Sequence, residues 1–239
     1  MAIRGIAHRG YPLKYPENTM VGFQAALEFQ FSHVELDVQL TKDGIPVVIH
    51  DPTVNRTING EGTVKSYTLA ELRKLDAGLG ERIPTLEEAL LFLRDRVCID
   101  LELKQTGNLY PGLEEAVLEV VRQTGTESQV ILTSFDHYSV ERIRKLDAHI
   151  QLGLIMFGAS PAVFPYMKQL NACALSVRHL YLTSEYIERC AEEGVQLMAW
   201  TPDDEPSMLK LAAYPDILVC TNNLEGWANV HRQGRTATV

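Results

Sequence analysis

From Thr85 onward the chain repeats one unit: a short apolar run, then an amphipathic stretch. "VCIDLEL" precedes "LEEAVLEVVRQ", "QVILTS" precedes "YSVERIRKL", and "IQLGLIM" precedes "PAVFPYMKQL". "CALSV", "VQLMAW" and "DILVCT" likewise precede "SEYIERCAEE", "EPSMLKLAA" and "LEGWANVHRQ". Upstream, "IRGIAH" precedes "NTMVGFQAALEFQ", where Met20, Phe23 and Leu27 mark one helical face at spacings of three and four. "HVELDVQL" alternates as a strand does, but it reaches its helix, "LEEALLFL", only after a detour over residues 41–84. That detour holds a hairpin-like "KDG", the strand "PVVIH", a Gly-rich "NGEGT" and a short helix opened by the capping box Thr68-x-x-Glu71. A second capping box, Thr85-x-x-Glu88, restarts the rhythm.

Strict β/α alternation dictates a parallel sheet. Eight such units in 239 residues predict an α/β fold of the closed (β/α)8 kind, a TIM barrel, with a small insertion after the second strand. The expected organisation is one barrel domain over residues 1–239, with the insertion at 41–84. An open doubly wound sheet is the alternative, but no Gly-rich fingerprint follows the first strand.

A barrel of this kind carries its chemistry at the C-terminal ends of its strands. His8 and Arg9 end the first strand, and Glu35 and Asp37 lie on the second. His50 and Asp51 end the strand of the insertion, and Asp100, Glu102 and Lys104 lie on the next barrel strand. Residues two apart share a strand face, so Glu35 points with Asp37, and Asp100 points with Glu102 and Lys104. Carboxylates inside a barrel are costly unless paired or metal-bound. Their excess over nearby cations calls for a hard divalent ion, Mg2+ or Ca2+. The competing explanation is a buried ion-pair network around Lys104 and Arg9.

The net charge of -9, with no basic run, excludes a nucleic-acid surface. An acidic protein does not attract an anion by its overall field, so a phosphate substrate needs a local cluster or a metal. No apolar stretch approaches membrane-spanning length, and no signal-peptide h-region follows Arg4. Cys98, Cys173, Cys190 and Cys220 lie far apart in apolar patterns and read as buried, reduced thiols. The expectation is a cytoplasmic protein with no integral membrane segment.

The motifs "AHRG", "PENT" with "GFQAA", "VELDVQLTKDGIPVVIHD", "NRT" before a glycine, "IPTLEEAL", "LELK" and "SF" follow one another over about the first 135 residues. In that order they resemble the glycerophosphodiester phosphodiesterase family. The resemblance implies a divalent metal ion held by Glu35, Asp37 and Glu102, and His8 and His50 as general acid and base. It further implies Arg9 on the phosphate, Lys104 beside the phosphate or metal, and an insertion after the second strand. The implied substrate is a small-molecule glycerophosphodiester, hydrolysed to glycerol 3-phosphate and an alcohol in phospholipid turnover or scavenging. Two positions depart from the family pattern: Asp203 replaces the asparagine after the tryptophan-threonine pair, and Asn222 replaces the aspartate after the last strand. Both bear on the leaving-group pocket and substrate choice.

Elementary chemistry agrees. Phosphodiester hydrolysis needs charge neutralisation, an activated nucleophile and protonation of the departing alkoxide. Histidine titrates near neutrality, so one histidine takes a proton while another gives one. The sequence assigns neither role, nor does it choose between water and a neighbouring substrate hydroxyl as nucleophile. Phe135 reads as a pocket wall, and Trp200 as either a stacking surface or a barrel closure. His137 and His179 are further candidates for the lining. "PENT" reads as a helix entry capped by Asn18 or Thr19, with Glu17 able to brace the site. Asp51 either orients His50 or starts a turn. Two other functions stay in view: phospholipase D-type cleavage of lysolipids, and a non-catalytic barrel binding a phosphate ligand. A homo-oligomer is compatible with all three.

Overall fold

Residues 2–236 are described by a computed structural model. Strands form at each apolar run: β1 (Ile3–Ala7), β2 (Phe31–Leu40), β4 (Cys98–Leu103), β5 (Val130–Ser134), β6 (Gln151–Met156), β7 (Ala174–Arg178), β8 (Gln196–Trp200) and β9 (Leu218–Thr221). Each pairs in parallel with its neighbour, and β9 and β2 both pair with β1, which closes the (β/α)8 barrel. The helices α1 (Met20–Glu28), α3 (Leu86–Leu93), α4 (Leu113–Thr124), α5 (His137–Leu146), α6 (Val163–Leu170), α7 (Ser184–Glu192), α8 (Glu205–Ala212) and α9 (Leu224–Thr236) separate the strands.

Strand alternation produces two cores. Val34, Leu36 and Val38 of β2 and Ile99, Leu101 and Leu103 of β4 pack outward against Phe23, Leu90, Leu93 and the rest of the helical layer. Inside the barrel lies a smaller cluster of Ile6, Ile131, Ala174, Met198, Leu218 and Cys220. The alternate residues of β2 and β4 are acidic, with Glu35 level with Asp100 and Asp37 level with Glu102. Two inward rows of carboxylate therefore sit side by side on adjacent strands.

The insertion carries its own core of Val47, Ile49, Val54, Ile58, Val64, Leu72, Ala77 and Ile83. Its strand β3 (Pro46–Val48) pairs antiparallel with β2, and its short helix α2 (Leu69–Leu72) begins at the Thr68–Glu71 capping box. The Thr85–Glu88 box likewise opens α3. Thr19 caps α1 by accepting from the Gly22 N–H, so Asn18 is freed for another task.

The cysteines depart from the expectation of uniform burial. Cys190 and Cys220 are buried, but Cys173 is half-buried and Cys98 is exposed. Cys98 opens β4, at the end of the barrel opposite the acidic rim, where the interior meets solvent. Among the described residues, no helix is long and apolar enough to cross a membrane.

Candidate active site

β1 hands the chain to a sharp turn. Arg9 and Gly10 are both left-handed, at φ 53° and 84°. A Cβ at Gly10 would lie 2.7 Å from the Gly22 backbone, so the turn packs directly on the first turn of α1. Gly10→Ala is expected to lower stability by roughly 2 kcal/mol or more, through left-handed strain plus this collision, as a drop in thermal midpoint.

The turn fixes Arg9 at the rim. Its backbone N–H donates to Glu35 Oε2 at 2.8 Å and its Nη1 to Glu17 Oε1 at 3.1 Å. Its Nε lies 3.4 Å from Asp37 Oδ2. Asn18, itself left-handed, donates from Nδ2 to that same oxygen at 2.8 Å. The asparagine of "PENT" thus orients a carboxylate across the barrel wall.

Glu35, Asp37 and Glu102 bring carboxylate oxygens within 4.8 Å of one another. Lys104 Nζ donates to Glu102 Oε1 at 2.6 Å and stands 3.4 Å from Asp37 Oδ1. Glu35 Oε1 and Asp37 Oδ1 are nevertheless buried without a hydrogen-bond partner. An acceptor buried and unpaired is destabilising. Arg9 and Lys104 therefore do not satisfy the cluster, and an all-oxygen, anionic donor set fits a hard divalent cation.

The acids titrate far apart. Burial, reinforced by the charge of Asp37, pushes the Glu35 carboxyl well above the usual range. Burial would raise Asp37 too, but Lys104 and Arg9 outweigh it and hold that carboxyl far below. Burial lifts Glu102 to about 7 despite Lys104, and Asp100 to about 6 despite its hydrogen bond from Thr133. In the metal-free chain, Glu35, Asp100 and Glu102 keep protons in the fold that the unfolded chain has released, whereas His8, His33 and His50, lowered by burial, lack protons that the unfolded chain keeps up to about 6.5. The two sets oppose each other below the ordinary histidine value of 6.5, and above it only the acids remain, so stability should fall as pH rises from 6.5 through about 7. Glu17, Asp37 and Asp51 are shifted the other way, and their contribution is complete above the window. A cation on the cluster should flatten the fall, because it binds the deprotonated acids. Urea midpoints against pH, in chelator and in Mg2+, test this.

The histidines approach from separate segments. His8 Nδ1 lies 2.8 Å from Asn222 Oδ1, and its Nε2 is 3.9 Å from Glu35 Oε2. Burial, with Arg9 adding to it, lowers His8 to about 4. His50 follows β3 and is anchored from behind by Gln39, whose Nε2 donates to the His50 carbonyl at 2.7 Å. Its Nδ1 lies 2.6 Å from Asp51 Oδ1. Asp51 in turn accepts from Arg56 Nε at 2.6 Å, and Arg56 also donates to Glu17 at 2.7 Å and 2.9 Å. Charges of alternating sign thus run from Asp51 through Arg56 and Glu17 to Arg9. The Arg56 hydrogen bond holds Asp51 down to about 2.

His8, Arg9, Glu35, His50, Glu102, Lys104, Phe135 and Trp200 line one cleft, together with Asp100. Asp37 lies behind that surface, fully buried. Opposite the charged groups, Phe135, Phe157 and Trp200 meet edge-on or tilted, with ring centroids 5.2–5.8 Å apart. That spacing admits nothing between the rings, so they form a wall rather than a cage. Phe157 is a lining residue that the sequence reading missed, since a lone aromatic after a strand has no periodic signature. His137 and His179 do not join the lining: their ring nitrogens meet the backbone carbonyls of Ile155 and Trp200 and brace the loops.

The profile of the glycerophosphoryl diester phosphodiesterase family matches residues 8–225. The chain belongs to that family. A glycerophosphodiester phosphodiesterase of Caldanaerobacter subterraneus is 40% identical, over 96% of this chain and 98% of that one. One from Bacillus altitudinis is 41% identical over 70% of this chain and 71% of its own. Among solved structures, a phosphodiesterase of Oleispira antarctica in complex with the product sn-glycerol-3-phosphate superposes with a TM-score of 0.88 at 29% identity, covering 95% of this chain and 96% of that one. A Silicibacter pomeroyi structure, at 22% identity and a TM-score of 0.89, supports the fold alone. As a glycerophosphoryl diester phosphodiesterase family member, the chain is a phosphoric diester hydrolase. Its two departures from the family pattern meet in space, since Asn222 Nδ2 donates to Asp203 Oδ2 at 2.7 Å.

Proposed function

We propose that this cleft hydrolyses a glycerophosphodiester to glycerol 3-phosphate and an alcohol, with Mg2+ or Ca2+ held by Glu35, Asp37 and Glu102. The observation carrying the reading is the convergence of two histidines, from β1 and from the insertion, on a carboxylate cluster in which Glu35 Oε1 and Asp37 Oδ1 are buried without hydrogen-bond partners. When bound, the cation supplies charge neutralisation at the phosphoryl oxygens. Arg9 and Lys104 add positive charge on the same side, each held in place by carboxylates. Phe135, Phe157 and Trp200 give the departing or glycerol portion a dry surface.

The partners of the histidines separate their roles. His8 faces a neutral amide and is kept uncharged by burial beside Arg9, so its Nε2 lone pair accepts the proton of the attacking O–H. Burial, with Lys104 and Arg9, lowers His50 from its usual value, but the Asp51 carboxylate it faces opposes that shift and stabilises the imidazolium, so it is the histidine placed to give a proton to the leaving oxygen. The attacking O–H comes from water or from the substrate's own glycerol. A cytoplasmic site of action accords with four unpaired cysteines, one of them exposed.

Release of glycerol 3-phosphate from glycerophosphocholine and glycerophosphoethanolamine, with each metal and with EDTA, tests the proposal. Metal-dependent release is expected. Absence of release with every metal would overturn it. Cleavage of lysolipids in its place would favour the phospholipase D-type reading, for which Phe157, 61% exposed at the cleft mouth, is the supporting observation. Neither activity would leave a phosphate-binding barrel.

A further inference from the structure

Beyond β9, Asn222 stands between His8 and Asp203. Asp203 Oδ1 accepts from the Asn222 backbone N–H at 2.8 Å and from Thr221 Oγ1 at 2.8 Å. Its Oδ2 accepts from Asn222 Nδ2 at 2.7 Å. A carboxylate offers only acceptors, so the Asn222 amide can face Asp203 only with its NH2 end. The amide is thereby oriented, and its Oδ1 is the atom turned to His8 Nδ1 at 2.8 Å. An amide oxygen only accepts, so His8 must carry hydrogen on Nδ1. In the neutral imidazole the other nitrogen, on the side of Glu35, then carries the lone pair.

We infer that Asp203, acting through Asn222, fixes the tautomer of His8 and keeps the Nε2 lone pair presented to the cleft. Asp203 and Asn222 are positioning residues. The rate consequence rests on the proposed role of His8 as base, whereas the tautomer does not.

The geometry makes a reciprocal demand on substitutions. In Asp203→Asn the backbone N–H of Asn222, an obligate donor, keeps the new amide oxygen where Oδ1 was. The new NH2 group then occupies the place of Oδ2 and faces the NH2 of Asn222. Asn222 must turn over, presenting NH2 to His8 Nδ1, and His8 must move its hydrogen to Nε2. In Asn222→Asp two carboxylates face each other. In the double variant Asp203→Asn/Asn222→Asp, donor and acceptor are exchanged as a pair, and the Nδ1–H tautomer returns.

The test is long-range 1H–15N NMR of 15N-histidine-labelled protein in Mg2+ at neutral pH, with His8→Gln identifying the His8 signals. It is combined with steady-state hydrolysis of glycerophosphocholine. The wild type should show a pyrrole-like Nδ1 and a pyridine-like Nε2, and Asp203→Asn should reverse them. Asp203→Asn should lose kcat on the order of 10²-fold with KM unchanged, the size of one acid–base contribution. The double variant should regain most of the loss. Retention of the Nδ1–H tautomer and full kcat in Asp203→Asn would overturn the inference, as would a double variant no better than Asp203→Asn. A wild type that shows the tautomer pattern without turnover would overturn the hydrolytic reading and leave the positioning intact. Thermal midpoints of the single variants should match within a few degrees, and the rescue separates positioning from misfolding.

Discussion

His50→Ala should lose hydrolysis of glycerophosphocholine by about 10²–10⁴-fold in kcat, yet keep most of its rate on the p-nitrophenyl ester of glycerol phosphate. The reason is the leaving group. Choline departs as a strongly basic alkoxide and needs a proton, which His50 and Asp51 are placed to give. Nitrophenolate departs without one. His8→Ala should instead lose both substrates alike, because the attacking O–H must be deprotonated in either case. Equal losses for both variants on both substrates would dismiss the assignment of acid and base. A reversed pattern would exchange the roles.

Chelation should abolish turnover, and Mg2+ or Ca2+ should restore it. Binding should also be visible without catalysis. A cation at a hundredfold excess over its dissociation constant stabilises the folded chain by about 2.7 kcal/mol. Glu35→Gln should remove that gain. It should also raise the thermal midpoint of the metal-free protein, since Glu35 is buried among like charges from Asp37, Asp100 and Glu102. A variant more stable without metal and inert to it is a signature that simple misfolding does not produce. If Glu35→Gln destabilised the metal-free protein while keeping its response to Mg2+, the cluster would be a structural ion-pair network.

Residues that obey a period were legible from the sequence. The alternation of "VELDVQL" places Leu36 outward and Glu35 and Asp37 inward, and the register with β4 delivers Glu102 beside Asp37. Thr68 and Thr85 announce their helices by a local rule, and both boxes form. Features that depend on distant partners were not legible. Arg56 meets Glu17 across 39 positions, with no spacing that signals it. Asn18 reads as a cap because caps are local, but it bonds Asp37, 19 positions away. Asp203 and Asn222 stood out only as departures, and their meaning lies in facing one another, one on each of two neighbouring strand ends.

The cleft stands on two foundations. Its acids grow from the barrel wall, whose strands are clamped on both sides and sealed by the helical layer. His50 grows from a lobe with a separate apolar centre, joined to the wall by the short pairing of β3 with β2 and the contacts around Gln39. Local opening free energies need not be uniform across a fold. A loosening of the lobe would leave an enzyme that grips phosphate and metal but cannot release alcohol. Selection acting on the residues around Val54 and Ile58 could thus tune turnover while leaving ion capture to the wall.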